Sequence, residues 1–139
     1  MRWMIDTNVI LDVLLKRENF YASSRAVLSL CEKRQAQGFV SASAVTDIFY
    51  LTRKALGSLE DTYKVVGALL DVVNVLTVTN EDVITAFRQN AKDFEDCLLA
   101  TCAKSNACDC IVTRNQKNFL PFGMPLYSPE EILPLFEQE

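Results

Sequence analysis

Apolar residues recur along the chain with two different spacings. Runs composed mainly of apolar or β-branched residues occupy positions 3–5, 39–42, 72–78, 109–113 and, more briefly, 125–127. Between these runs, apolar residues recur every three or four positions in residues 8–16, 20–36, 43–57, 59–71, 79–90 and 93–103. The first spacing is typical of buried strands and the second of helices that cover a sheet. Alternating strands and helices predict an α/β fold, a parallel sheet with helices on both faces.

Capping residues sharpen the predicted helix ends. Ser43 is a candidate N-cap and Gly57 a candidate end for the helix between them. Thr79 with Asp82 forms a capping-box-like start, and Ser128 with Glu131 forms another, with a proline at the first helical position.

Length and composition are compatible with one compact domain spanning residues 1–139. Half of the residues are hydrophobic, which is enough for a substantial core. The apolar runs are shorter than the ~20 residues that cross a bilayer, and an aspartate lies near the N-terminus, where a signal peptide would be apolar. We therefore expect no membrane association and a cytoplasmic location. The five cysteines are expected to be reduced core thiols, since they are odd in number and no secretory signal accompanies them.

The charged residues restrict the chemistry. The chain contains no histidine, so the usual general base and the commonest zinc ligand are absent. Any catalysis must therefore use carboxylates. The formal net charge of −4 excludes a simple, uniformly basic nucleic-acid binder.

Several acidic residues occupy positions that favour a site. Asp6 ends the first predicted strand and Asn115 follows the strand 109–113, so both should lie at the same edge of the sheet. A helix N-cap would explain Asp6 equally well, and a place in the first helical turn would explain Asp96. Asp47 is harder to explain structurally, because it lies inside a helix between apolar neighbours, although a solvated face would also fit. For Asp12 and Asp109 we favour structural roles.

If Asp6, Asp47 and Asp96 converge, their carboxylates repel one another. A divalent cation would relieve that repulsion, and Mg²⁺ or Mn²⁺ prefers oxygen ligands together with substrate phosphate.

Four segments together resemble PIN-domain nucleases, and in particular the VapC-type toxins of type II toxin-antitoxin pairs. They are MIDTNVILD (4–12), SASAVTDIFY (41–50), DFEDCLLATCAKSNACDCIVTRN (93–115) and PLYSPEEIL (125–133). The resemblance implies a three-layer α/β/α PIN-like fold and Mg²⁺- or Mn²⁺-dependent cleavage of RNA. It assigns Asp6, Asp47 and Asp96 to the metal and Asn115 to the orientation of the attacking water, with Thr7 and Thr113 supporting the acids by hydrogen bonds.

Two positions depart from the family pattern. The second acid is usually glutamate, whereas Asp47 is one methylene shorter. The fourth position is often aspartate, whereas Asn115 and the nearby Asn118 are neutral. A site for one metal ion is therefore expected.

The resemblance also implies partners. These are an RNA substrate, a second copy of the chain in a homodimer, and an antitoxin that inserts a basic or aromatic side chain among the acids. Helices 20–36 and 43–71 also have more apolar surface than one sheet face needs, which hints at a dimer. Arg114 and Lys117 flank the expected site and are candidates for binding phosphate, whereas Arg53 and Lys54 better fit an ordinary solvated surface.

Two alternatives stay open. One is a PIN-fold binding module with weak or no activity, for which the two departures argue. The other is a Mg²⁺-dependent phosphatase of the haloacid-dehalogenase kind, which also places an aspartate after its first strand. That class needs a second aspartate two residues on, where this chain has Asn8.

Overall fold

Five parallel strands form the centre of the computed structural model, which describes residues 1–137. Their order across the sheet is β3-β2-β1-β4-β5. The strands are β1 (Arg2–Ile5), β2 (Gln37–Ser41), β3 (Asn74–Leu76), β4 (Cys110–Val112) and β5 (Leu126–Tyr127). The helices are α1 (Thr7–Leu14), α2 (Tyr21–Glu32), α3 (Ala42–Leu56), α4 (Leu59–Val72), α5 (Asn80–Arg88), α6 (Phe94–Ser105), α7 (Gln116–Phe119), α8 (Pro129–Ile132) and α9 (Pro134–Glu137), with a 3-10 turn at Leu120–Phe122.

The alternation of side chains along the strands separates two cores. Trp3 and Ile5 of β1 belong to a buried cluster with residues of α1 to α4. Met4 lies in a second buried cluster with Phe39 and Ile111 from the neighbouring strands and with residues of α5 and α6. Because successive strand residues point to opposite faces, each core lies on its own side of the sheet. The predicted three-layer α/β/α architecture is confirmed.

The strand order places a switch point beside β1. The chain passes from β1 to β2 and β3 on one side and then to β4 and β5 on the other. At such a reversal, the loops after the two central strands diverge and leave a crevice at the carboxyl ends of β1 and β4.

One predicted strand is shorter and more exposed than its sequence indicated. A buried strand over residues 72–78 was expected, but α4 continues to Val72 and β3 covers only Asn74–Leu76. Val75 is 46% exposed because β3 is an edge strand of the sheet. Since one side of β3 has no neighbouring strand, a β-branched run here does not require burial.

Most of the predicted capping residues lie at the observed helix ends. Both capping boxes, Thr79–Asp82 and Ser128–Glu131, are present. Gly57 ends α3 in the left-handed conformation, with φ 68°. The prediction that Ser43 caps α3 is wrong, because α3 begins at Ala42 and the N-cap position belongs to Ser41. The helix predicted over 20–36 ends at Glu32, and a turn with Arg34 at φ 60° leads directly into β2.

All five cysteines are free and buried, as predicted. Among the described residues, none of the helices is long and apolar enough to pass through a bilayer.

Candidate active site

Asp6 leaves the end of β1 in a fixed position beside β4. Ile5 pairs with Val112, and the next amide, that of Asp6, donates a hydrogen bond to the Val112 carbonyl at 3.0 Å. This register sets Asp6 against Thr113, whose fully buried hydroxyl donates to Asp6 Oδ2 at 2.8 Å. The same hydroxyl oxygen accepts the Asn115 amide at 2.9 Å. Thr113 therefore connects the carboxylate of Asp6, after β1, to the backbone amide of Asn115, after β4.

The Asp6 carboxylate does not act as a helix cap. Asp6 occupies the N-cap position of α1, but its side chain makes no capping hydrogen bond. It is 5% exposed, and burial raises its pKa, while the hydrogen bond from Thr113 acts in the opposite direction. The side chain is thus largely removed from water and oriented by one hydroxyl, which favours a site over a cap.

Asp96 is likewise free of a capping role, because Asp93 fills that role. The Asp93 side chain accepts the Asp96 amide at 3.0 Å, which starts α6 at Phe94. Burial, followed by repulsion from Asp93 and Asp6, raises the pKa of Asp96 to about 7. The shift shows that α6 holds its carboxylate close enough to Asp6 for the two to disfavour each other's charge.

Asp47 reaches the same region from α3, the helix that follows β2. Its side chain is exposed on the wall of the cleft rather than buried among its apolar neighbours. Glu95 lies opposite, and burial followed by repulsion from Asp47 raises the pKa of Glu95. The carboxylates from α3 and α6 therefore face each other across the cleft.

A cleft of about 510 Å³ opens at this edge of the sheet. It contains five of the eight residues predicted for the site and some that were not predicted. Its lining consists of Asp6, Thr7, Asn8, Leu11, Asp47, Tyr50, Leu51, Asp93, Glu95, Asp96, Asn115 and Asn118. Of the other predicted residues, Thr113 lies behind the wall, and Lys117 lines an adjoining groove. Arg53 and Lys54 occupy the last turn of α3 with exposed side chains, outside this lining.

Arg114 has contacts that its sequence position did not predict. Its Nε and one terminal nitrogen donate to the fully buried carboxylate of Asp12 at 2.8 and 2.9 Å. Its guanidinium also lies over the ring of Phe20, 3.8 Å from the centroid. Asp12 accepts a further hydrogen bond from Ser24 at 2.9 Å. Arg114 is therefore engaged in joining the loop after β4 to α1 and α2, and Asp12 has the structural role that we favoured.

Two acids of the cleft were missed as site candidates from the sequence. Asp93 was considered only as the start of a helix, and Glu95 only as part of the quoted segment. The signal was the density of acids in Asp93-Phe94-Glu95-Asp96 at a helix start, with one carboxylate at the N-cap and two in the first turn. The helix dipole explains one or two acids there without effort, so the third was the informative one.

The groups that line the cleft are of the type that binds a divalent cation, but their positions do not form a complete metal site. All the charged lining groups are carboxylates, and burial, followed by repulsion from neighbouring carboxylates, raises the pKa of both Asp96 and Glu95. Among the side chains of residues 1–136, however, no three from aspartate, glutamate, histidine or cysteine converge closely enough to form a ready-made metal site. Asp47 and Glu95 are exposed, so their rotamers are free to adjust. A hard cation that tolerates water and phosphate in its shell suits such a partly assembled oxygen set.

The fold and this cleft together define a class: a three-layer α/β/α protein with carboxylates gathered at the carboxyl ends of its central strands. The sequence profile of the PIN domain matches residues 2–117, and the chain belongs to the PIN domain family. PIN domains are generally nucleases.

Solved structures with the same fold come from toxin-antitoxin complexes. The chain is similar to a chain of VapBC2 from Rickettsia felis, bound to a DNA fragment of its promoter, with 19% identity, a TM-score of 0.72, and coverage of 92% of this chain and 98% of that one. It is similar to a chain of FitAcB from Neisseria gonorrhoeae, with 19% identity, a TM-score of 0.70 and the same coverage. A chain of VapBC-1 from nontypeable Haemophilus influenzae is 22% identical, with a TM-score of 0.66 and coverage of 94% and 99%. These likenesses establish the shared fold. No curated protein sequence matches the chain.

Proposed function

We propose that this PIN-domain protein is a divalent-metal-dependent endoribonuclease and the toxin half of a toxin-antitoxin pair. The observation that carries the proposal is the cluster of carboxylates in one cleft, with a raised pKa at Asp6, Glu95 and Asp96. Groups that disfavour one another's charge are costly to assemble, so their convergence is expected where a cation is to be bound.

Asp6, Asp47 and Asp96 would hold the metal ion, which is Mg²⁺ or Mn²⁺. When bound, such an ion offsets the negative charge of the phosphate and lowers the pKa of a water molecule to near neutrality. One ion is proposed rather than two, because the position that is often aspartate in this family is the neutral Asn115 here.

The neighbouring polar residues would position the reactants. Asn115 lines the cleft, and its backbone amide donates a hydrogen bond to Thr113; its side chain would orient the attacking water by hydrogen bonds. Thr113 holds the Asp6 carboxylate, and Thr7 lines the cleft as the first residue of α1. With no histidine in the chain, proton transfer has to use these carboxylates or solvent.

The decisive experiment is cleavage of end-labelled single-stranded RNA by purified protein with Mg²⁺, with Mn²⁺ and with a chelator. Wild type should cut with either ion and fail with the chelator. Asp6→Asn and Asp96→Asn should lose this cleavage, whereas Asp71→Asn, an exposed acid near the end of α4, should retain it. Equal cleavage by Asp6→Asn and wild type would refute the proposal, and cleavage of single-stranded DNA alone would refute the RNA assignment.

One observation favours the inert binding module: the described side chains, those of residues 1–136, form no ready-made metal site. Titration calorimetry with Mn²⁺ separates the two functions without depending on activity. A nuclease should bind the ion, and Asp96→Asn should weaken that binding. No binding by folded wild type would favour the inert module.

The proposed partners are inferred from exposed surfaces and from solved complexes of proteins with the same fold. A solved structure with the same fold is a toxin-antitoxin complex from Klebsiella pneumoniae, which supports an antitoxin for this chain. For the homodimer, α3 and α4 expose Tyr50 and Tyr63 at 63% and 65%. Light scattering coupled to gel filtration should give a dimer for wild type and a monomer for Tyr63→Lys. A small protein encoded beside this gene should co-purify with it and inhibit cleavage.

A further inference from the structure

A second groove of about 380 Å³ adjoins the acidic cleft and differs from it in charge. Asp93 and Asn118 line both, so the two spaces are continuous. The remaining lining of the groove comes from the end of α5, the α5–α6 connection, α7 and the 3-10 turn: Gln89, Ala91, Lys92, Lys117, Pro121 and Phe122.

Two lysines give this groove a positive wall. The side chains of Lys92 and Lys117 are exposed, and neither forms an ion pair with a carboxylate of residues 1–136. Along the chain, Lys92 precedes α6 and Lys117 lies in α7. Free ammonium groups next to an acidic cleft form a charge pattern suited to a ligand that carries several phosphates. One of these phosphates would lie among the carboxylates, but only when a cation is present.

The floor of the groove is apolar. Ala91, Pro121 and Phe122 contribute to it, and Phe122 is 7% exposed with its ring packed edge-to-face on Phe119 at 6.4 Å. On the rim, Gln89 is exposed and Asn118 offers a second amide. An apolar floor with amides at its rim is the combination that accepts an unstacked base and hydrogen-bonds to its edge.

The α5–α6 connection keeps Lys92 at the edge of the site. Asn90 adopts φ 52°, a left-handed conformation that asparagine tolerates well, and its amide donates to the Phe87 carbonyl at 3.2 Å. Three residues later, Asp93 caps α6. The short segment between these two anchors is therefore held at both ends, and Lys92 is part of it.

We propose that this groove binds the nucleotide adjoining the bond that is cut, with its phosphate on Lys92 and Lys117 and its base on the apolar floor, where Gln89 helps to select the base. This inference rests on the proposed function as an RNA-cleaving enzyme and adds where the substrate lies and which residues determine base preference. An acidic peptide would also be attracted by two lysines, but it would not use the flat apolar floor beside the amides.

The test measures binding without cleavage, by fluorescence anisotropy of labelled single-stranded RNA in the presence of a chelator. The double variant Lys92→Gln/Lys117→Gln is compared with Lys33→Gln/Lys64→Gln, which removes the same charge from exposed lysines of α4 and the end of α2. The groove variant should bind RNA several-fold more weakly. Its dependence of log K on log salt should also be shallower, by roughly 0.7 for each lost phosphate contact. The control pair should behave as wild type.

Base preference is tested with Gln89→Ala and oligonucleotides of a single base type. The ratio of affinities between base types should change several-fold, while the salt dependence stays that of wild type. Ratios equal to those of wild type would overturn the selective role of Gln89.

The outcomes separate this inference from the nuclease proposal. If wild type cuts RNA but the groove variant and its control bind equally, the groove inference fails and the nuclease proposal stands. If wild type binds through the groove lysines without cutting, the nuclease proposal fails and the groove stands as a nucleotide site. Two results would overturn the inference. The first is that wild type does not bind RNA. The second is that an acidic peptide displaces the bound RNA whereas an excess of free nucleotide does not.

Discussion

Replacing Asp96 by asparagine should make the metal-free protein more stable, although it removes a residue of the proposed site. Burial and the neighbouring charges of Asp93 and Asp6 raise the pKa of Asp96 from 3.8 to about 7. Between these two values the folded protein holds a proton that the unfolded chain has released. Stability therefore falls as the pH rises through this window, and the loss is complete above the folded pKa. Asparagine keeps the size of the side chain and carries no charge at any pH.

The size of the gain follows from the shift. A displacement of about three pKa units corresponds to about 4 kcal/mol for a fully desolvated group. Asp96 is only partly buried, and water screens its repulsion, which reduces the expected gain to about 1–2 kcal/mol above neutral pH. For a chain of this length, that gain corresponds to a rise in Tm of roughly 3–8 °C.

Thermal unfolding followed by circular dichroism, in a chelator, measures the effect. The gain of Asp96→Asn over wild type should be largest at about pH 8 and should shrink towards pH 4. Asp71→Asn serves as the control, since its exposed carboxylate lies outside the cleft. Adding Mn²⁺ should reverse the order, because wild type binds the ion more tightly and gains stability by mass action. If Asp96→Asn is less stable than wild type at pH 8 without metal, the repulsion inferred for the cleft is absent.

Three further substitutions test other parts of the structure. Asp12→Asn leaves the guanidinium of Arg114 without its charged partner and should destabilise the fold by about 3 kcal/mol. Urea unfolding would measure the change in the free energy of unfolding, and a loss below about 1 kcal/mol would contradict a structural ion pair. Gly38→Ala would place a methyl group 2.7 Å from the sulfur of Cys31 and should cost about 1–3 kcal/mol in the same assay, whereas unchanged stability would show that the neighbours give way easily. Thr113→Val removes the hydroxyl that holds the first-strand acid, so RNA cleavage should fall by about 10–100-fold, and retention of full activity would exclude a supporting role.

The fold was predictable because the local signals and the tertiary structure agree. Thr79 and Ser128 start helices by capping boxes that need no information from elsewhere in the chain. The exposed edge strand β3 was the exception, since its apolar residues do not indicate where the strand lies in the sheet. Strand order is set by pairing between distant segments, so it cannot be read from the spacing of residues within Asn74–Leu76.

For the candidate site, position along a strand was informative and nearness in sequence was misleading. Asp6 was found because a carboxylate directly after a buried strand needs an explanation. Arg114 was selected for phosphate because it precedes Asn115, yet its partner Asp12 lies on another element, 102 positions away in the chain. A cation's partner is decided by the fold, so a basic residue beside a site residue is weak support for substrate binding. Lys117, whose side chain is exposed in the adjoining groove, stays a candidate.

The same arrangement explains how a protein with a net charge of −4 could attract RNA. The acids of the cleft repel phosphate when no metal is present, and burial, followed by repulsion among these acids, raises the pKa of Glu95 and Asp96. The lysines of the adjoining groove attract phosphate with or without the ion. Binding and cleavage should therefore respond differently to conditions: salt should weaken binding through the lysines, whereas metal should control whether a phosphate enters the cleft. A substrate held first by the groove would reach the acids only after a cation has neutralised them, which would couple cleavage to metal binding without any change in the fold.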